Sequence, residues 1–222
     1  MKTLQQAYQE FNFDDFLAQQ LVGTAESVNA YVECCERYLG LNKTALIWEG
    51  KNGESAEWTF EQLAEASGKL ANYFASIGLK AGDCIAGLLP RTPELLISIL
   101  ATWRMGAIYQ PLFTAFESKA IEHRINTAKT QLIVTNAEQR SKLNGVTVPH
   151  ILTVHPQDAS SHADADFWAE LAQQSESFEP VMQTFADDFL MMFTSGTTGL
   201  AKSVQVPLKA LLAFKGYMIH AV

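Results

Sequence analysis

Between Cys84 and Val154 the chain alternates short apolar runs with amphipathic ones, and no other feature restricts its fold as strongly. Cys84 to Leu89, Ala107 to Pro111, Gln131 to Thr135 and His150 to Val154 read as strands. Between them, Thr92-Pro93-Glu94 opens a helix that carries Leu95, Leu96, Ile99, Leu100 and Trp103 up to Gly106. Glu117 to Ala128 reads as a second helix and Ala137 to Leu143 as a short third. Pro93 suits a first helical position, where its missing N–H has no partner to lose, and Thr92 before it suits the cap. Strand, helix and strand at this spacing imply right-handed crossovers. The fold class predicted is therefore α/β, with a mainly parallel sheet flanked by helices on both faces.

The flanks add detail. Acidic and aromatic stretches with helical character run to Tyr38, and Thr44 to Glu49 and Glu57 to Thr59 flank a Gly50-Lys51-Asn52-Gly53 turn, which reads as a hairpin. Thr59 followed by Gln62 has the spacing of a capping box. The helix it opens lines Phe60, Leu63, Leu70, Ala71, Phe74 and Ile77 along one face before Gly78 stops it. Residues 1–58 are taken as an opening segment of helices and a hairpin, and 59–222 as an α/β unit. Pro156 to Pro180 is polar and acidic, with one helical piece near Asp166 to Ala172, and is expected to be a surface excursion before the sheet resumes at Phe189.

Composition removes several function classes. The net charge is −8, and the sixteen Lys and Arg residues form no basic stripe, which argues against a nucleic-acid surface. No apolar run approaches the roughly 18 residues that span a bilayer, so membrane insertion is not expected. The N-terminus lacks a charged segment followed by an apolar one, and a cytoplasmic location is expected. Cys34, Cys35 and Cys84 form neither a CxxC pair nor an even set and read as reduced core thiols.

After the apolar run Phe189 to Phe193 comes Thr194-Ser195-Gly196-Thr197-Thr198-Gly199-Leu200-Ala201-Lys202. Glycines let backbone N–H groups turn inward toward an anion, the hydroxyls add donors, and a lysine adds charge. Local chemistry favours phosphate binding over an inert turn, which stays open as the alternative. The segment is not the GxxxxGK[ST] loop, and no Gly-x-Gly occurs in the chain, so a dinucleotide-binding turn is excluded.

Phe193 to Lys202 resembles the signature Tyr/Phe-Thr-Ser-Gly-Thr-Thr-Gly-x-Pro-Lys-Gly of the adenylate-forming superfamily, which includes acyl-CoA synthetases, luciferases and peptide-synthetase adenylation domains. Trp58-Thr59-Phe60-Glu61-Gln62-Leu63, Gly78-Leu79-Lys80-Ala81-Gly82-Asp83 and Leu89-Pro90-Arg91-Thr92-Pro93-Glu94 are similar to further pieces of that pattern. Gly106 to Phe116 looks most like the short- and medium-chain acyl-CoA synthetases. The resemblance runs from about Thr44 to the end and implies the N-terminal part of the large domain of such an enzyme.

By resemblance, the reaction joins a carboxylate to AMP from Mg2+-bound ATP, and the thiol of coenzyme A then displaces AMP. Thr194, Ser195, Gly196, Thr197, Thr198, Gly199 and Lys202 would hold the nucleotide's phosphates; none is a nucleophile, and no catalytic or metal-ligating residue is expected within the chain. Ala201 stands where proline is usual, Ser203 where glycine is usual, and Pro207-Leu208 where a pair ending in histidine is common. Without the proline the loop is expected to be less rigid.

Family members are more than twice as long, and the Tyr-x-Thr-Gly-Asp/Glu motif, the ribose-binding aspartate and the C-terminal lysine find no counterpart here. The isolated chain is therefore expected to be inactive or nearly so, and exposed apolar surface is expected to favour self-association. Two alternatives stand beside the synthetase: a non-catalytic binding module, and an adenylation domain that feeds a carrier protein.

Other residues invite functional readings. His150, His155, His162 and Asp164 have no common metal spacing and are read as surface or capping groups. Trp48, Trp58, Trp103 and Trp168 are read as packing residues. Arg91 and Arg104 are read as solvated or capping groups rather than as a coenzyme A phosphate site.

Overall fold

The computed structural model describes residues 4–10, 12–155, 164–194 and 200–220. Helices α1 (Leu4–Glu10), α2 (Phe13–Gln20) and α3 (Ala30–Cys34) lead through a 3-10 turn at Glu36–Tyr38 into an antiparallel hairpin, β1 (Thr44–Glu49) with β2 (Ser55–Thr59). Thr59 then caps α4 (Phe60–Ser76). Its hydroxyl accepts the Gln62 N–H while the Gln62 side chain accepts the Thr59 N–H, the reciprocal pair that the sequence spacing predicts. Gly78 takes φ +89° just past the helix, which a side chain would resist.

Then come β3 (Cys84–Leu88), α5 (Pro93–Arg104), β4 (Ile108–Pro111), α6 (Ser118–Ala128), β5 (Leu132–Asn136), α7 (Ala137–Arg140), a 3-10 turn at Ser141–Leu143, and β6 (His150–Val154). Pro93 opens α5 as expected, but the Thr92 side chain makes no capping bond; its carbonyl accepts the Leu95 N–H instead. The chain continues with β7 (Ala165–Asp166), α8 (Phe167–Leu171), β8 (Asp188–Phe193), β9 (Ser203–Pro207) and α9 (Ala210–His220).

Seven strands form one sheet in the order β7-β6-β5-β3-β4-β8-β9, parallel throughout except for the antiparallel pair β8–β9. Period-two alternation splits the central strands between two layers. Ile85, Leu132, Val134 and Leu152 join α4, α5 and α8 on one face, whereas Ala86, Leu88 and Ile133 join Ile121 and Ile125 of α6 on the other. Both faces are covered, as an apolar parallel sheet requires.

The stretch after β6 is more than the surface excursion expected from its composition. Residues 156–163 lie outside the described set, but Ala165–Asp166 adds a strand to the sheet and Phe167 and Leu171 are buried in the main core. Residues 175–178 then cross α4. The Asn72 amide donates to the carbonyls of Ser175 and Ser177, and the Cβ that an alanine would add at Gly68 would overlap the Glu176 carbonyl oxygen. The acidic composition disguises a segment held through its backbone.

Asn29 ties distant pieces together. Its buried amide donates to the carbonyls of Trp103 and Val181, both at 2.8 Å, while its oxygen caps α3 by accepting the Tyr31 and Val32 N–H groups. Arg104 works beside it, lying 4.5 Å over the Tyr31 ring and donating to the carbonyls of Ala64 and Phe178. Arg104 is thus a structural staple, neither solvated nor a cap.

Replacing Asn29 by Ala strips a cap and removes the side-chain donor to the Trp103 and Val181 carbonyls, so a loss of about 2–4 kcal/mol in unfolding free energy is expected by chemical denaturation. Tyr109 presents the opposite case. Its hydroxyl is buried without a partner among the described residues, and burial drives its pKa well above the usual phenol range. Tyr109→Phe removes a desolvated group and is expected to leave stability unchanged or raise it by about 1 kcal/mol; a clear drop in the denaturation midpoint would show that the hydroxyl is satisfied in solution.

Candidate functional site

The connections leaving β3 and β4 diverge, since α5 packs on one face of the sheet and α6 on the other. Such a divergence opens a crevice at the carboxyl ends of the strands, where ligands of open α/β sheets bind. β8 lies parallel beside β4, so its carboxyl end reaches the same edge. There β8 turns through the glycine- and hydroxyl-rich segment into β9.

The base of that turn is described. Thr194 N–H donates to the Lys202 carbonyl at 3.0 Å, and Lys202 N–H donates to the Thr194 hydroxyl at 3.4 Å. Both residues are exposed at the edge. Ser195, Gly196, Thr197, Thr198 and Gly199 lie outside the described residues. The closure makes Thr194 and Lys202 a facing pair at the end of the β8–β9 ladder, with Lys202 immediately before β9. The sequence reading had no strand after the loop.

One wall of the site comes from α6. His123 Nε2 meets the Ala201 carbonyl at 2.8 Å, and its ring stands edge-on to Phe193, with centroids 6.4 Å apart. Arg124 lies 4.1 Å over the Phe116 ring and 5.5 Å over that of Phe193, with one guanidinium nitrogen donating to the Ala120 carbonyl. Its Nε is buried without a partner among the described residues, and burial lowers its pKa from the usual guanidinium range. Phe113, 64% exposed, packs against Phe116 at the mouth. Sequence reasoning named none of these four as a site residue, although Phe113 and Phe116 lie in the Gly106–Phe116 piece that resembles the synthetases. For His123 and Arg124 the local signal was a helix starting soon after β4, and nothing nearby in sequence says that β8 returns to β4's side.

The other tempting residues fall elsewhere. Asp164 pairs with the Arg140 guanidinium and accepts from the Thr153 hydroxyl, His155 is exposed, and His162 lies outside the described residues. Among the described residues no group of three or more His, Cys, Asp or Glu side chains is placed to hold a metal ion. Trp48 and Trp103 donate to the carbonyls of Arg91 and Phe189, and Trp58 stacks with Trp168 at 6.4 Å, which are the packing roles expected of them. Cys35 and Cys84 are buried thiols pushed up to about 12 by burial, but Cys34 is exposed and is not a core residue.

Known proteins share this fold. A crystal structure of a Brucella canis acyl-CoA synthetase superposes with a TM-score of 0.92 and 45% identity over 98% of this chain and 40% of that one. Acetyl-coenzyme A synthetases of Deinococcus radiodurans and Chlorobaculum tepidum are 30% and 27% identical over 85% and 88% of the chain. The chain spans about a third of the length of these curated relatives, 32% of each. The fold is thus that of the N-terminal part of an adenylate-forming enzyme. A family profile described as AMP-binding enzyme matches residues 34–221, from α3 through the hairpin and its loop, and the chain belongs to that family.

Proposed function

We propose that this chain is the polyphosphate-gripping part of an enzyme that activates a short or medium aliphatic carboxylate with ATP and passes the acyl group to coenzyme A. A carboxylate oxygen attacks the α-phosphorus and the bond to pyrophosphate breaks. The coenzyme A sulfur then attacks the acyl carbon and the bond to AMP breaks. The observation that supports the reading is the closure of Thr194 on Lys202 at the carboxyl end of β8, the two residues that bound a segment of this composition.

In this reading Thr194, Ser195, Thr197 and Thr198, with the backbone N–H groups of Gly196 and Gly199, hold the β- and γ-phosphates. Lys202 offsets the charge that builds on the departing pyrophosphate. Donors fixed before the reaction stabilise that charge without reorganising during it. Magnesium would enter with the nucleotide and shield its phosphates. A cytoplasmic site of action fits reduced, unpaired cysteines.

Lys202→Ala is expected to weaken ATP binding about tenfold or more, as befits a charge-assisted contact, and isothermal titration calorimetry reads it directly. Unchanged affinity would remove Lys202 from the site. The reaction itself is tested by carboxylate-dependent exchange of labelled pyrophosphate into ATP, on the 222-residue chain and on any longer product of its reading frame. Exchange supported by acetate, propionate or butyrate is expected from the longer product; exchange by neither would overturn the proposal.

A further inference from the structure

We infer that His123 is a positioning residue for the loop, holding in place from outside an arm that lacks the internal restraint of a proline. The inference rests on the phosphate-binding reading of the loop and concerns how its lysine is aimed.

A carbonyl oxygen only accepts, so the 2.8 Å contact requires a hydrogen on Nε2 of His123. That hydrogen is present in the imidazolium and in one neutral tautomer alike. The acceptor is the carbonyl of Ala201, and its peptide group runs straight into the Lys202 N–H. The same N–H donates to the Thr194 hydroxyl, and the Lys202 carbonyl accepts from Thr194 N–H. Three hydrogen bonds therefore fix the two peptide groups around Lys202, two from the opposite arm of the hairpin and one from α6. The bond from α6 ties the arm that carries Lys202 to the helix layer, beside the contacts that His123 and Arg124 make with Phe193 on the other arm.

The donor is itself well placed to act as a fixed post. It sits within α6, which is anchored by Ile121 and Ile125 in the second core layer. The His123 ring is steadied edge-on against Phe193, the last residue of β8. Ala201 has no ring to limit φ, so its backbone samples more states than a proline would, and the carbonyl bond restricts ψ instead. A ligand that binds an unrestrained arm must also supply the free energy of ordering it, which lowers affinity without removing any contact.

Calorimetric titration of the 222-residue chain with inorganic tripolyphosphate and with ATP tests this. His123→Phe keeps a ring against Phe193 but has no N–H to offer. It is expected to bind both probes roughly 5- to 10-fold more weakly, the worth of one hydrogen bond, at an unchanged melting temperature. His123→Gln, whose amide can donate at similar reach, is expected to recover most of the loss. Adding Ala201→Pro to His123→Phe is expected to recover it by the other route. Should His123→Phe fail to fold, His123→Leu takes its place in the same comparisons.

If the unaltered chain binds and His123→Phe binds equally well, the positioning role is wrong while the phosphate site stands. A loss that neither Gln nor the added proline recovers would reduce His123 to packing and also overturn the inference. Failure of the unaltered chain to bind either probe would overturn the reading of the loop, and this inference with it.

Discussion

The hydrogen bond from the Trp103 indole to the Phe189 carbonyl, 2.9 Å long, is the interaction on which the placement of the site depends. β8 carries the loop, but its parallel ladder to β4 records one register pair, Tyr109 with Leu190. A strand paired so briefly needs another restraint. The indole supplies it from α5, with its ring packed 5.4 Å from that of Phe189. Behind it, the Asn29 amide holds the Trp103 carbonyl, and the Asn29 oxygen holds the start of α3. The N-terminal helices are thereby linked through one tryptophan to the strand that presents Thr194.

A second chain of contacts reinforces this from the N-terminal side. The fully buried Glu33 carboxylate accepts from the Val22 and Gly23 N–H groups and pairs with Arg37 and Lys215. Lys215 belongs to α9, which follows β9. A buried carboxylate is tolerated because four donors satisfy it, and loss of any one of them would leave charge poorly solvated. Both ends of the described chain are thus drawn to one acid, and the hairpin between them is held on either side.

Much of this was legible in the sequence because it is local. Thr59 and Gln62 announce the start of α4, Gly78 its stop, and the alternation from Cys84 to Val154 gives the parallel strands within a residue or two of their observed ends. What escaped depends on partners distant in sequence. Ser203 to Pro207 is exposed at four of five positions and has little apolar signal, so only its pairing with β8 makes it a strand. Phe167 and Leu171 lay in a polar stretch where only a short helical piece and Trp168 hinted at packing. His123 and Arg124 flank the loop because a strand returns to β4 after seventy-odd residues of intervening chain, a fact of topology that no local pattern encodes. The family signature reached the loop, Phe193 and Phe116, but not the two α6 residues that stand against them.

Gly68 shows how such crossings limit what the chain can become. A glycine within a helix ordinarily costs about 1 kcal/mol against alanine, and its replacement is a standard route to a sturdier protein. Here the obstacle to even one methyl group is main chain, the Glu176 carbonyl, and no rotamer change clears it. The helix is kept permanently below its own optimum so that another segment can lie in the notch. Any attempt to strengthen α4 at that residue would push away the carbonyls that hold Asn72 and Arg104, and local gain would become long-range loss.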